Sequence, residues 1–162
     1  MEALLIIGVV AIFLFAGVVA FGAPYLPTLS SRVNDAIELL DLRSGQTMLE
    51  LGCGDGRLLR AAAKKGIYSI GYELNPVLVI YAKVVSLRYG KLVKVRWANY
   101  WTIDWPPADG IYVFLLNPYM SKLHKKVVQY SKGKQFRLVS FAFKIPEKIP
   151  DREKDSMFLY VY

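Results

Sequence analysis

Residues 49–59 read LELGCGDGRLL, a short apolar stretch that carries Glu50 and then places glycine at every second position, Gly52, Gly54 and Gly56. Apolar residues running into alternating glycines and then into Leu58 and Leu59 spell a strand, a tight loop and a helix. Glycine has no Cβ, so such a loop turns sharply and lets a ligand lie directly on the backbone. A dinucleotide loop reads G-x-G-x-x-G, with pyrophosphate on the amino end of the helix that follows. Here the third glycine comes one residue early, and Asp55 stands where a phosphate would be repelled. The spacing favours a ligand with a cationic or hydroxylated part, and Glu50 adds another negative charge beside it.

Working outward, Ser31 is placed to cap a helix in which Val33, Ala36, Ile37 and Leu40 recur at helical spacing, and Gly45 ends it before the strand TMLEL at 47–51. Further on, the pattern predicts a helix over 57–65, the strand YSIGYE at 68–73, a helix over 76–87 and the strand LVKVRWA at 92–98. It continues with the strand GIYVFLL at 110–116, a helix over 120–130 and the strand FRLVSFAF at 136–143. A polar loop over 144–155 and a last strand over 157–162 complete the chain. This alternation predicts an α/β, Rossmann-like, doubly wound and mostly parallel sheet, whose ligand sits beyond the carboxyl ends of the strands where the winding reverses. The glycine loop lies at such an end. Glu73 closes the second strand, where this architecture places the carboxylate that accepts both ribose hydroxyls, and Leu74 and Asn75 follow it. Asn99 and Tyr100 close the third strand.

The 162 residues carry a formal net charge of +8. From Ala3 to Ala23 every residue is apolar or glycine. At about 1.5 Å per residue that run is long enough to cross a bilayer as a helix, and it has neither the basic start nor the cleavage site of a signal peptide. The expected organisation is a transmembrane helix over 1–23, a linker over 24–31 and one domain over 32–162. All 21 Lys and Arg residues follow Ser31, and only Glu2 of the 13 acidic residues precedes it. A basic domain beside a membrane is attracted to anionic headgroups; nucleic acid is the other partner such charge admits, but the anchor favours a protein and nucleic acid is not expected. The single cysteine, Cys53, excludes an intramolecular disulfide, and with one histidine it forms no Cys/His metal cluster; no metal is expected. A single-pass protein with its domain on the cytosolic side is expected, in a plasma membrane or, in a eukaryote, the mitochondrial inner membrane.

With Glu50, Gly52, Gly54 and Gly56 matching E/D-x-G-x-G-x-G, the chain resembles the class I S-adenosylmethionine-dependent methyltransferases. LGCGDGRLLRAAAKKG, GYELNPVLVIYAK, NYWTIDW, LHKKV and the ending in which FAFKIPEKIP leads to FLYVY are similar to the protein-lysine methyltransferases of the ATP synthase c subunit and the adenine nucleotide translocase. The resemblance implies that the loop, with Cys53 and Asp55, lies under the methionine and ribose of S-adenosyl-L-methionine. It implies that Glu73 with Leu74 and Asn75 holds the ribose and that Asn99 and Tyr100 lie near the adenine. Where that family shows V-P-E/Q-M-M, this chain has Asn117-Pro118-Tyr119-Met120, closer to the N-P-P-Y/F loop that holds an amide or adenine amine.

Methyl transfer depends mainly on alignment, because the sulfonium leaving group is already activated. Asn117 and Tyr119 are therefore the candidate catalytic residues, and Pro118 and Trp101 join them as candidate contacts to the substrate. His124 lies among Lys122, Lys125 and Lys126 and reads as part of a solvated basic face. The domain has no inserted cap to enclose a small substrate, so a macromolecule must cover the site. The expected function is methylation of a lysine on a membrane-associated protein. The alternatives are methylation of a glutamine amide or adenine amine through the Asn117–Tyr119 loop, and a cofactor-binding scaffold without catalysis.

Overall fold

A computed structural model describes residues 30–131 and 133–162, together with positions 2, 5, 6, 8 and 9. Its strands are β1 (Thr47–Leu51), β2 (Tyr68–Glu73), β3 (Val93–Trp97), β4 (Gly110–Phe114), β5 (Arg137–Phe141), β6 (Arg152–Lys154) and β7 (Met157–Val161). They form one sheet in the order β3-β2-β1-β4-β5-β7-β6. β1 pairs in parallel with both β2 and β4, whereas β7 runs antiparallel to β5 and β6. The chain thus winds from β1 outward to β3, returns to β4 on the other side, and reverses its winding between β1 and β4. The described helices are α1 (Ser30–Leu40), α2 (Arg57–Lys64), α3 (Pro76–Ser86) and α4 (Met120–Ser131), with 3-10 turns at Leu87–Leu92 and Asn117–Tyr119.

Side chains alternate across each strand, so the central strands bury both faces and read as continuous apolar runs. Met48, Tyr112, Val139 and Leu159 pack on one face with α1, α2 and α3 through residues such as Ile37, Leu58 and Ala82. Leu49, Ile111, Val113 and Leu138 pack on the other with Met120, Leu123 and Val127 of α4. That second face has a single helix among the described residues. The gap beside it is filled by the loop over 98–109, whose Tyr100, Trp101, Ile103 and Trp105 join the same core.

The expected sheet is present, but three expectations are corrected. The N-terminal transmembrane helix is not supported: among the described residues no helix is long and apolar enough to cross a membrane. The longest described helix has 12 residues and rises about 18 Å, short of a hydrocarbon core of about 30 Å. Most of the run over 1–23 and the linker up to 29 lie outside the described residues. Second, α1 already includes Ser30 and Ser31. Third, the polar loop over 144–155 contains β6, which pairs with the free edge of β7 across a turn at Asp155 and Ser156, both in the left-handed region. Charged residues suit such an outermost strand, which must stay wet.

Candidate active site

The carboxyl ends of β1, β2, β3 and β4 lie side by side at the winding reversal, and each delivers part of the site. β1 ends in the glycine loop. Gly52, Gly54 and Gly56 adopt φ of 84°, 51° and 72°, a region where a side chain is strained. A Cβ built on Gly52 meets nothing within 4 Å, so the space above it is open to a ligand. The amides of Gly52 and Cys53 both donate to the carbonyl of Tyr72, at 2.9 and 2.8 Å, which ties the loop to β2.

Glu73 ends β2 and its carboxylate reaches back to the loop. Its Oε2 accepts from the amide of Gly54 at 2.9 Å, and its Oε1 accepts from the amides of Leu74 and Asn75, each at 2.8 Å. A carboxylate offers about four lone-pair sites, so three backbone donors leave capacity for a ligand hydroxyl. Asn75 is buried and caps α3, its Oδ1 accepting from Val77 at 2.9 Å and Leu78 at 3.4 Å. Its work is to start the helix. Leu74 is exposed, and its carbonyl accepts from Nε1 of Trp97 at 2.9 Å.

Glu50 is buried, and its Oε2 has no hydrogen-bond partner among the described residues. Burial first, then Asp55 and Glu73, push its carboxyl well above the usual range. Asp55 behaves oppositely. Burial opposes its charge, but the Arg57 side chain and amide overcome this and hold it below the usual range, with Nη2 at 2.8 Å and the amide at 3.0 Å. Its charge therefore pairs within the loop. The Cys53 thiol is buried and pushed up by burial, Glu50 and Glu73, which suits packing rather than nucleophilic work. It fills the space beside Gly71, where an added Cβ would stand 2.6 Å from its Sγ. Gly71, in the middle of β2, is absent from the expected site; an isolated glycine inside a strand pattern is the signal of close approach that marks it.

Beyond β3, Asn99 holds a turn by accepting from the amide of Trp101 at 3.0 Å through Oδ1. Tyr100 follows, and its phenol is pushed up by burial, then by Glu73 and Tyr119. Both ends of the site thus act on this one ring. Trp101 tilts against Tyr100 with centroids 5.0 Å apart and against Tyr119 at 6.5 Å. Beyond β4, Asn117-Pro118-Tyr119 form the 3-10 turn, and all three are exposed. The backbone carbonyl of Asn117 accepts from the amide of Met120, which starts α4.

Two lysines of α4 complete this wall. Lys122 sets its ammonium 4.4 Å over the ring of Trp101. Lys126 donates to the carbonyls of Trp101 at 3.1 Å and Ile103 at 2.9 Å, bracing the loop from beneath. No pattern in the sequence marks Lys126 for that role. His124 is half-buried between the exposed Lys122 and Lys125, and it gains a partner the sequence did not mark: its Nδ1 lies 2.8 Å from the hydroxyl of Tyr162, and the rings tilt together at 5.8 Å. Among the described residues no group of three His, Cys, Asp or Glu could hold a metal.

An open glycine backbone, an unpartnered buried carboxylate oxygen and a second carboxylate with spare capacity fit a ligand that combines a cation with a ribose diol. Residues 50–152 match the ANTKMT methyltransferase domain. The chain belongs to this methyltransferase family. It is 32% identical over 130 residues to the lysine N-methyltransferase of the ATP synthase c subunit from Xenopus laevis, covering 79% of this chain and 57% of that one. The chain thus spans little more than half of that relative. It is 28% identical to a protein-lysine N-methyltransferase of Saccharolobus islandicus over 150 residues, 86% of this chain and 91% of that one. Among solved structures it is similar to an RNA methyltransferase from Salinibacter ruber in complex with S-adenosyl-L-homocysteine, with TM-score 0.75, 27% identity, and coverage of 85% and 92%. S-adenosylmethionine is the cofactor of this methyltransferase family, and the site's acidic, open character suits it.

Proposed function

We propose that this protein transfers a methyl group from S-adenosylmethionine to a lysine side chain of another protein. The observation that carries this reading is the ammonium of Lys122 resting over Trp101 beside Tyr119, a station that an incoming lysine would use in the same way. In this reading the backbone of Gly52–Gly56 and the carboxylate of Glu73 hold the donor, and Glu50 faces its cationic part. When bound, the donor supplies a methyl group already activated on sulfur, so the chain's task is alignment. A lysine must be neutral to attack, and the exposed turn at Asn117–Tyr119 lets its proton leave to solvent. The side-chain amide of Asn117 and the hydroxyl of Tyr119 then orient the amine. Tyr100, its phenol held neutral by burial, walls the site without serving as a base.

The Xenopus relative is named for the ATP synthase c subunit, which makes that protein the first acceptor to test. A second reading, transfer to an adenine amine or glutamine amide, is supported by the Asn-Pro-Tyr turn and by the likeness to an RNA methyltransferase. Incubating the protein with labelled S-adenosylmethionine and, in parallel, lysine peptides, a glutamine peptide and RNA separates the two. Label on lysine supports the first reading; label on RNA or glutamine replaces it with the second.

A further inference from the structure

One face of α3 is apolar and has no partner among the described residues. Val77, Ile80, Tyr81, Val84 and Leu87 follow the helical repeat, and Ile80, Val84 and Leu87 are 64%, 59% and 74% exposed. Opposite them Val79 and Ala82 carry the packing against the sheet. Trp97 of the edge strand β3, 67% exposed, extends the patch toward Leu74. Isolated exposed apolar residues are ordinary, but a continuous stripe on one helix marks a surface that something covers.

The charge around the stripe says what. Lys83, Arg88 and Lys91 border it, and Lys64 and Lys65 lie exposed at the end of the neighbouring α2. From Arg57 to Ile103 the only acidic residue is Glu73, whose carboxylate is bound to three backbone amides. An aliphatic centre with a cationic border and no exposed carboxylate is the pattern of a helix lying on an anionic bilayer, side chains in the acyl boundary and cations at the phosphates. A second copy of the chain would set cations against cations across a two-fold axis. Nucleic acid favours polar and aromatic surfaces over valine, isoleucine and leucine.

We propose that the α3 face, from Val77 to Leu87, docks this domain on the surface of an anionic lipid membrane. The proposal concerns residues other than 3–23 and does not rest on the methyl-transfer reading. Because α3 starts at Asn75, next to Glu73, docking sets the active site beside the lipid surface rather than away from it.

The test places an environment-sensitive fluorophore on Val84→Cys in the full chain, with Ile149→Cys as the control. Ile149 is 88% exposed and lies in the loop leading to β6, at the sheet edge opposite β3. The native Cys53 is buried and does not compete for label. Vesicles of phosphatidylglycerol and phosphatidylcholine should shift the Val84 probe to the blue, whereas phosphatidylcholine alone and the Ile149 probe should show no shift. Reversing Lys83, Arg88 and Lys91 to Glu should weaken the shift roughly tenfold or more in lipid concentration. Ile80→Asp, made separately, should abolish it. A Val84 probe that stays in water on anionic vesicles overturns the proposal, even if the chain sediments with them. So does an equal shift on neutral vesicles, or one produced by RNA or by rising protein concentration alone.

Discussion

The carboxylate of Glu73 holds the amide of Gly54 at 2.9 Å, so the second strand fixes the shape of the loop that follows the first. Glu73 therefore serves the backbone, and the proposed function gives it a second duty to the donor. Glu73→Ala should lower affinity for S-adenosylhomocysteine tenfold or more, since hydrogen bonds to a charged group contribute about 1.5–3 kcal/mol each. It should also lower the melting temperature by a few degrees, because Gly54, Leu74 and Asn75 lose their acceptor. Titration calorimetry and thermal melts measure the two effects; unchanged affinity in a folded variant removes Glu73 from the donor site.

Glu50 predicts a pH effect of defined sign. Its folded carboxyl is raised, chiefly by burial, so the folded state loses stability as pH rises above the unfolded value of 4.5 and regains it as pH falls back toward that value. Glu50→Gln should raise the melting temperature of the ligand-free protein at pH 8 and bring little gain at pH 5. The same variant should bind S-adenosylmethionine more weakly, by its lost charge. An equal stabilisation at both pH values would show that Glu50 does not titrate as described.

If Asn117 and Tyr119 orient the acceptor as proposed, Asn117→Ala and Tyr119→Phe should cut turnover tenfold or more while affinity for S-adenosylhomocysteine stays within a few fold. Single-turnover kinetics beside calorimetry make the comparison. A matching loss of cofactor affinity would move these residues into the donor pocket.

Lys126 braces the Trp101 and Ile103 carbonyls from α4. Lys126→Met should cost about 1–3 kcal/mol, seen as a few degrees in the melting temperature, and lower turnover by loosening Tyr100 and Trp101. Donor affinity should change little. Near-ultraviolet circular dichroism reads the ring packing directly, and an unaltered spectrum with a normal melt would show that the brace contributes nothing.

Periodicity and glycine spacing made the parallel core readable: TMLEL and YSIGYE lie in β1 and β2 with the boundaries expected from their turns. Contacts between distant segments were not readable in the same way. Lys126 looks like any lysine of a basic helix until the loop over 98–109 folds against it, and His124 looks solvated until Tyr162 arrives from the last strand. A polar residue at a strand end reads as a ligand contact or as a helix cap, and the cap that Asn75 makes through Oδ1 emerges only in the fold. β6 was hidden because three charged residues pair only where β7 offers a free edge.

The loop over 98–109 stands where a second helix could have covered the sheet, and it is held by aromatic packing and the ammonium of one lysine. In the proposed reading the donor rests on strand ends and backbone amides, whereas Trp101 brings this loop to the acceptor beside Tyr119 of the turn after β4. Such a division lets mutation retarget the enzyme by replacing that segment, as a toolmaker changes a bit and keeps the chuck. A chimera that keeps Asn99 and Tyr100 but carries a different segment between Tyr100 and Gly110 should keep its affinity for the methyl donor while its choice of acceptor changes.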